Sequence, residues 1–190
     1  MVSKFSQITF TVEGTYNGTT NENSTISYQA TTVSSGIYDV NITFSSASST
    51  ESGLARVDSN NESVISVTFS GYSFSGPQAK SFFDDLFALF GLEYTYGGYE
   101  SILTDSTYFH STGSSTMTFG STSFPVTTWV ANSLPMSVNS CGYTSDITAY
   151  TLQVGTPPGS SLNFITFLHY ASDSPVNEDF TFKLVSMTQG

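Results

Sequence analysis

Apolar residues occupy every second position along much of this chain. Ile8, Phe10 and Val12 share one face, as do Ile26, Tyr28 and Ala30; Tyr38, Val40, Ile42 and Phe44 follow, then Ile65, Val67 and Phe69. A period of two with Thr or Ser between the apolar positions predicts half-buried antiparallel strands. Asn21–Glu22–Asn23, Ser34–Ser35–Gly36 and Ser59–Asn60–Asn61 read as the turns between them. The first 75 residues therefore form an up-and-down meander of four or five strands.

The period then changes. Ala79, Phe82, Phe83, Leu86, Phe87 and Phe90 recur at helical spacing, with Gln78, Lys80, Ser81, Asp84 and Asp85 on the other side. Pro77 suits a first helical position and Gly91 a stop, which predicts one main helix over about 77–90. Strand patterns resume at Met117–Phe119, Phe124–Ala131, Ile147–Val154, Leu162–Tyr170 and Phe180–Met187, with Thr156-Pro157-Pro158-Gly159 as a turn. Neither an internal repeat nor a linker is visible. The expectation is a mainly β domain spanning 1–190, with nine or ten strands. Its architecture is an antiparallel sandwich or a curved sheet, with the helix packed on it.

Composition adds a habitat to this picture. Ser numbers 34 and Thr 27, while Lys and Arg together number 4 against 15 Asp and Glu, for a net charge of −11. Charged residues are 10% of the chain, far below the usual ~25%. With so few cations, nucleic acid is excluded as a partner, and so is attraction to an anionic membrane. Aromatic residues at 15% supply the apolar area that a disordered chain lacks. Polarity rests on hydroxyls, which stay hydrated when carboxylates protonate. Crowding 15 carboxylates with 4 cations also raises the average carboxyl pKa on folding, so acid is expected not to unfold the domain.

A Ser/Thr/Tyr/Asn-rich, Lys-poor chain of this kind resembles the secreted and surface-layer-associated proteins of thermoacidophilic archaea. The resemblance is one of composition and implies an extracellular or cell-surface location. Met1-Val2-Ser3-Lys4 leads straight into strand-like sequence, so the expectation is that a signal peptide or anchor has been removed. The longest apolar run, Leu86–Phe90, is far short of a membrane span. Cys141 is the only cysteine, which rules out an intrachain disulfide, and it reads as a small buried apolar residue.

Catalytic motifs are missing. Gly-x-Ser-x-Gly, the zincin helix, an EF-hand loop and phosphate-cradling glycines do not occur. His110 and His169 are the only histidines, and His169, on the face of Ile165 and Phe167, reads as a core or edge residue. Asp173, Asn177, Glu178 and Asp179 have the oxygens for calcium, but a polar turn around Pro175 accounts for them. Asp84 and Asp85, adjacent on a helix, point about 100° apart. Glu93 and Glu100 flank a Tyr/Gly-rich loop whose Tyr94, Tyr96 and Tyr99, with Tyr108, form a candidate interaction surface or the roof of the core.

Asn17, Asn23, Asn41 and Asn61 each begin a glycosylation sequon and are the candidate glycosylation sites. Asn41 alternates with Val40 and Ile42 and so belongs to a polar strand face. Together these readings point to an exported structural or recognition domain without catalysis, metal or cofactor. Its expected partner is a protein or glycan at a cell surface, or a second copy of itself. A hydrophobic-ligand or lipid carrier, its sheet wrapped round the Phe-rich helix, is the alternative. A secreted antimicrobial protein is the third reading.

Overall fold

The computed structural model describes residues 5–17, 19–61, 63–89, 104–140, 143–158, 164–174 and 177–189. Six strands come first: β1 (Phe5–Tyr16), β2 (Thr19–Ser34), β3 (Ile37–Ser45), β4 (Thr50–Asp58), β5 (Ser63–Phe69) and β6 (Tyr72–Ser75). Helix α1 (Gly76–Leu89) follows. The second group is β7 (Phe109–Phe119), β8 (Thr122–Ala131), β9 (Met136–Ser140), β10 (Tyr143–Gly155), β11 (Phe164–Ser174) and β12 (Glu178–Gln189). All of the strands join one antiparallel sheet in the order β6-β5-β4-β3-β2-β1-β12-β11-β10-β8-β7, with β9 beside β10. Among the described residues the protein is therefore β-rich with one short helix, and the curved sheet, rather than a two-sheet sandwich, is what forms.

Neighbouring strands bring their apolar positions into shared rows. Ile8 lies opposite Tyr28 and Met187; Phe10 lies opposite Ile26 and Leu184. Ring contacts knit these rows, with Phe10 stacked on Phe182 at 4.6 Å, Phe5 edge-on to Phe164 at 5.5 Å and Phe109 stacked on Tyr150 at 4.2 Å. Fully burying one such phenylalanine contributes about 2–3 kcal/mol. Val67 of β5 and Phe124 of β8, far apart along the sheet, belong to the same core. A twisted sheet of more than ~10 strands has to curl, and here β7 comes back against β12.

The bends have visible causes. Register shifts interrupt the pairing between Thr9 and Phe10, Arg56 and Val57, Ser111 and Gly113, and Gln153 and Val154. Such bulges kink a strand and increase its twist. Gly53 and Gly155 sit where an aromatic from the next strand crosses the backbone. A Cβ on Gly53 meets Phe69 Cδ2 at 2.5 Å, and one on Gly155 meets Phe124 Cε2 at 2.8 Å.

The helix seats its first turns as its pattern predicts. Ala79 is fully buried, and Phe82 stacks on Phe74 at 4.8 Å and reaches Phe69 at 6.1 Å, so α1 caps the β5–β6 end of the sheet. Pro77 does lie in its first turn. The side chains of Phe83, Asp84, Asp85, Leu86 and Phe87 lie outside the described residues, as do Phe90 and Gly91 altogether.

Two sequence expectations need correction. Asn21–Glu22–Asn23 is no turn: it belongs to β2, with Asn21 opposite Gly14 in the β1 pairing. Its polar composition reflects a strand end beyond the apolar core, because β3 pairs with β2 only from Thr25 onward. The count of about nine or ten strands is also too low, since the short β6 and β9 carry little apolar alternation.

Candidate functional site

Three described strands end the sheet or its side branch. β6 has 4 residues and runs directly into α1; β9 has 5; β7 has 11. Among the described residues β7 pairs only with β8, so its other side presents a row of backbone donors and acceptors. Edges of this kind are usually blunted by charge, Pro or brevity. β7 has none of these, and a single bulge at Ser111/Gly113, with Gly113 at φ +136°, is its one irregularity.

The strand is anchored at both ends and exposed between them. At its start Asn132 acts as a clamp. Its backbone N–H donates to Tyr108 O at 2.8 Å, and its Nδ2 donates to Ser106 O and Thr107 O at 3.1 Å. Asn132 Oδ1 and His110 Nδ1 are 2.8 Å apart, a contact in which the ring N–H donates to the amide oxygen. Asp105 closes the preceding turn by accepting from Thr107 N at 2.8 Å, and that bond holds its carboxyl below the ordinary range. At the far end Met117 and Phe119 pack against the core, and the Thr118 and Ser123 hydroxyls lie 2.8 Å apart. From His110 to Thr116 every side chain is exposed.

This edge lies in the longest charge-free run of the sequence; a second, Ile147–Ser172, covers most of β10 and β11. No Asp, Glu, Lys or Arg occurs between Asp105 and Asp146, so β7, β8 and β9 are free of fixed charge in a chain of net charge −11. Outside these two runs Glu13, Glu51 and Asp179 are among the exposed carboxylates. The clearest ion pair joins Arg56 Nε and Nη2 to Asp39 Oδ1 and Oδ2 at 2.7 and 2.8 Å, which lowers the Asp39 pKa.

Of the tyrosines singled out from the sequence, Tyr108 packs half-buried on the core beside Phe109, as a roof; Tyr94, Tyr96 and Tyr99 lie outside the described residues, with Glu93, Glu100 and Cys141. Asn23 and Asn41 are exposed on strands, and Asn41 stands between buried Val40 and Ile42 as the alternation requires. Asn61 is exposed, but its Nδ2 donates to Asp58 Oδ2 at 2.8 Å. Asn17 adopts a left-handed φ of 54° and its backbone N–H donates to Asn177 O.

His169 shares a face with Phe167, but that face is the outer one, half exposed, and not the core. The bulge at Thr166 reverses the side on which Ile165 stands. His169 Nε2 lies 3.1 Å from Asp179 Oδ1. Asp179 is thus engaged by a histidine and Glu178 by Ser172 Oγ at 3.4 Å. Among the described residues no group of three His, Cys, Asp or Glu gathers as a metal site. Sequence alternation reached only the Met117–Phe119 end of β7, because hydroxyls hide the rest of the strand. The signal that marks it is the charge-free run.

Fold and edge together define a class: one long, coiled antiparallel sheet, capped by a helix at one end and, among the described residues, unpaired along β7 at the other. No protein-family model matches the chain, and no curated protein does. Among solved structures it is similar to a chain from the crystal structure of MucB in complex with MucA(peri). The TM-score is 0.43 and the identity 10%, over 98% of this chain and 50% of that one. This chain thus spans half the length of that neighbour. No helix among the described residues is long and apolar enough to cross a membrane.

Proposed function

We propose that this protein is a non-catalytic recognition or structural domain of an extracytoplasmic surface, and that it binds extended polypeptide by adding a strand to β7. The observation that carries this reading is the 11-residue edge, paired on one side only among the described residues, with exposed and uncharged side chains from His110 to Thr116. Strand addition derives affinity from main-chain hydrogen bonds, and pockets for alternate side chains give selectivity. The stacks of Phe10 on Phe182 and Phe109 on Tyr150 occupy core positions that a lipid carrier would leave to its ligand, which favours this reading over a carrier. The hydroxyl-rich surface and the exposed Asn23 and Asn41 sequons fit export.

The test is a selection of extended peptides from a random library on the immobilised protein. Ser114→Lys/Thr116→Lys, which places two charges on the edge at exposed positions, serves as counter-screen. Selected peptides should lose at least about tenfold in affinity for the variant, or 1.4 kcal/mol. Peptides that bind both proteins equally, or none selected at all, sink the reading.

A further inference from the structure

We propose that β7 is taken by β7 of a second copy of this chain, antiparallel and centred on Ser114, so that one sheet continues into the other. The inference rests on the edge reading above and names its occupant. Its first support is the residue order. From Phe109 to Phe119 the strand reads Phe-His-Ser-Thr-Gly-Ser-Ser-Thr-Met-Thr-Phe, in which Phe and Thr recur symmetrically while His110/Thr118 and Ser111/Met117 do not match. About Ser114, Phe109 mirrors Phe119, Thr112 mirrors Thr116 and Gly113 mirrors Ser115. A two-fold interface presents one patch to itself, so whatever residue i meets must in turn meet residue i of the partner. Within Thr112–Thr116 this register puts Thr opposite Thr and small opposite small. Both are favourable cross-strand neighbours.

Charge is the second support. Two copies at −11 each repel wherever acidic surface meets acidic surface, and the stretch between Asp105 and Asp146 is where that repulsion is least. A basic partner gains nothing from an edge without carboxylates, whereas a copy of the same acidic chain gains most from avoiding them. The geometry also limits the contact. Phe109 is committed to its stack on Tyr150, and the bulge at Ser111/Gly113 breaks the ladder on that side. The paired stretch therefore centres on Thr112–Thr116 of each copy, which makes a small, weak and concentration-dependent interface.

Sedimentation of the whole chain from about 10 μM to about 1 mM, at about 20 and about 300 mM salt, should show a dimer that grows with protein and with salt. Ser114→Lys/Thr116→Lys should weaken association at least about tenfold at the lower salt. A second measurement needs no equilibrium dimer. Directly opposed Cα atoms lie about 4.5–5.5 Å apart, within disulfide reach. In a Cys141→Ser background, Ser114→Cys should then form an intermolecular disulfide at least ~10 times faster than Ser123→Cys on β8. A wild type that stays monomeric over the whole range overturns the proposal, as does Ser114→Cys crosslinking no faster than Ser123→Cys. If that monomer still takes selected peptides through β7, self-pairing alone is lost. If β7 amides in the monomer are as protected from hydrogen exchange as those of β1, the edge is covered within the chain and the proposed function falls with it.

Discussion

At the scale of single residues, the heaviest contributions come from the fully buried rings and from glycines that let rings cross. Phe10 has no exposed surface and stacks on Phe182. Phe10→Ala removes that contact and leaves a cavity between β1 and β12, so it should cost about 3–5 kcal/mol in urea unfolding. Gly14 makes the opposite case. A Cβ there falls on the carbonyl oxygen of Asp179 and within 2.7 Å of Phe180 Cα, both backbone atoms that cannot swing aside. Gly14→Ala is therefore expected to destabilise by about 1–3 kcal/mol through overpacking. Gly120, in the β7–β8 turn, has open space around it but a φ of +57°. Gly120→Asn should stay within about 1 kcal/mol, because Asn tolerates the left-handed region. A Gly14→Ala protein as stable as wild type would show that β1 and β12 can separate without penalty.

At the scale of elements, β1, β2, β3, β5 and the paired strands β10–β12 follow from alternation, while β7 depends on what holds its start. Asn132 links that start to the Ser106–Tyr108 turn through backbone and side chain. Asn132→Ala removes the side-chain bonds and leaves two carbonyls to water. The expected loss is about 1–2 kcal/mol, since the site is exposed. Its more telling sign is faster hydrogen exchange at Phe109 and His110, with no change in β1 or β2. The β2–β3 hairpin has a comparable tie, Ser59 Oγ and backbone N donating to Gly36 O, which fastens it to the β4–β5 turn. Alternation located both of those turns. It missed the Asn17 turn, because the Asn-rich start of β2 is polar for lack of a β3 partner and not for lack of structure.

For the whole molecule, two charge effects oppose each other across the acid range. Repulsion among 15 carboxylates favours proton uptake by the folded state, so relieving it between pH 7 and about pH 4 stabilises. Asp39 and Asp105 behave in the other sense. Their folded pKa values lie below the ordinary 3.8, the first through the Arg56 hydrogen bonds and the second through Thr107. Depressed acids contribute stability that is present above the unfolded pKa and lost as pH falls through the folded one. That loss belongs below about pH 4. The melting temperature at pH 4.5 should thus at least equal that at pH 7, and fall by pH 2.5. Asp39→Asn should lower it at neutral pH and leave it unchanged at pH 2.5, so that the two pH curves converge. Curves that stay parallel would deny the Asp39–Arg56 pair any part in stability.

Local order determined the class of this protein. Period two along Ile8–Val12, Tyr38–Phe44 and Ile65–Phe69 dictates half-buried strands, and Ala79 with Phe82 dictates which helix face is buried, since both patterns act between near neighbours. Tertiary structure decided the rest. Whether many antiparallel strands split into two layers or coil into one depends on bulges and on glycines set beneath rings, such as Gly53 under Phe69. It depends also on the return of β7 to β12. The face of His169 turned on one extra residue, Thr166, which no periodicity announces. The exposed edge was decided last, because an edge is a property of strand order, and strand order joins residues as distant as Phe5 and Gln189.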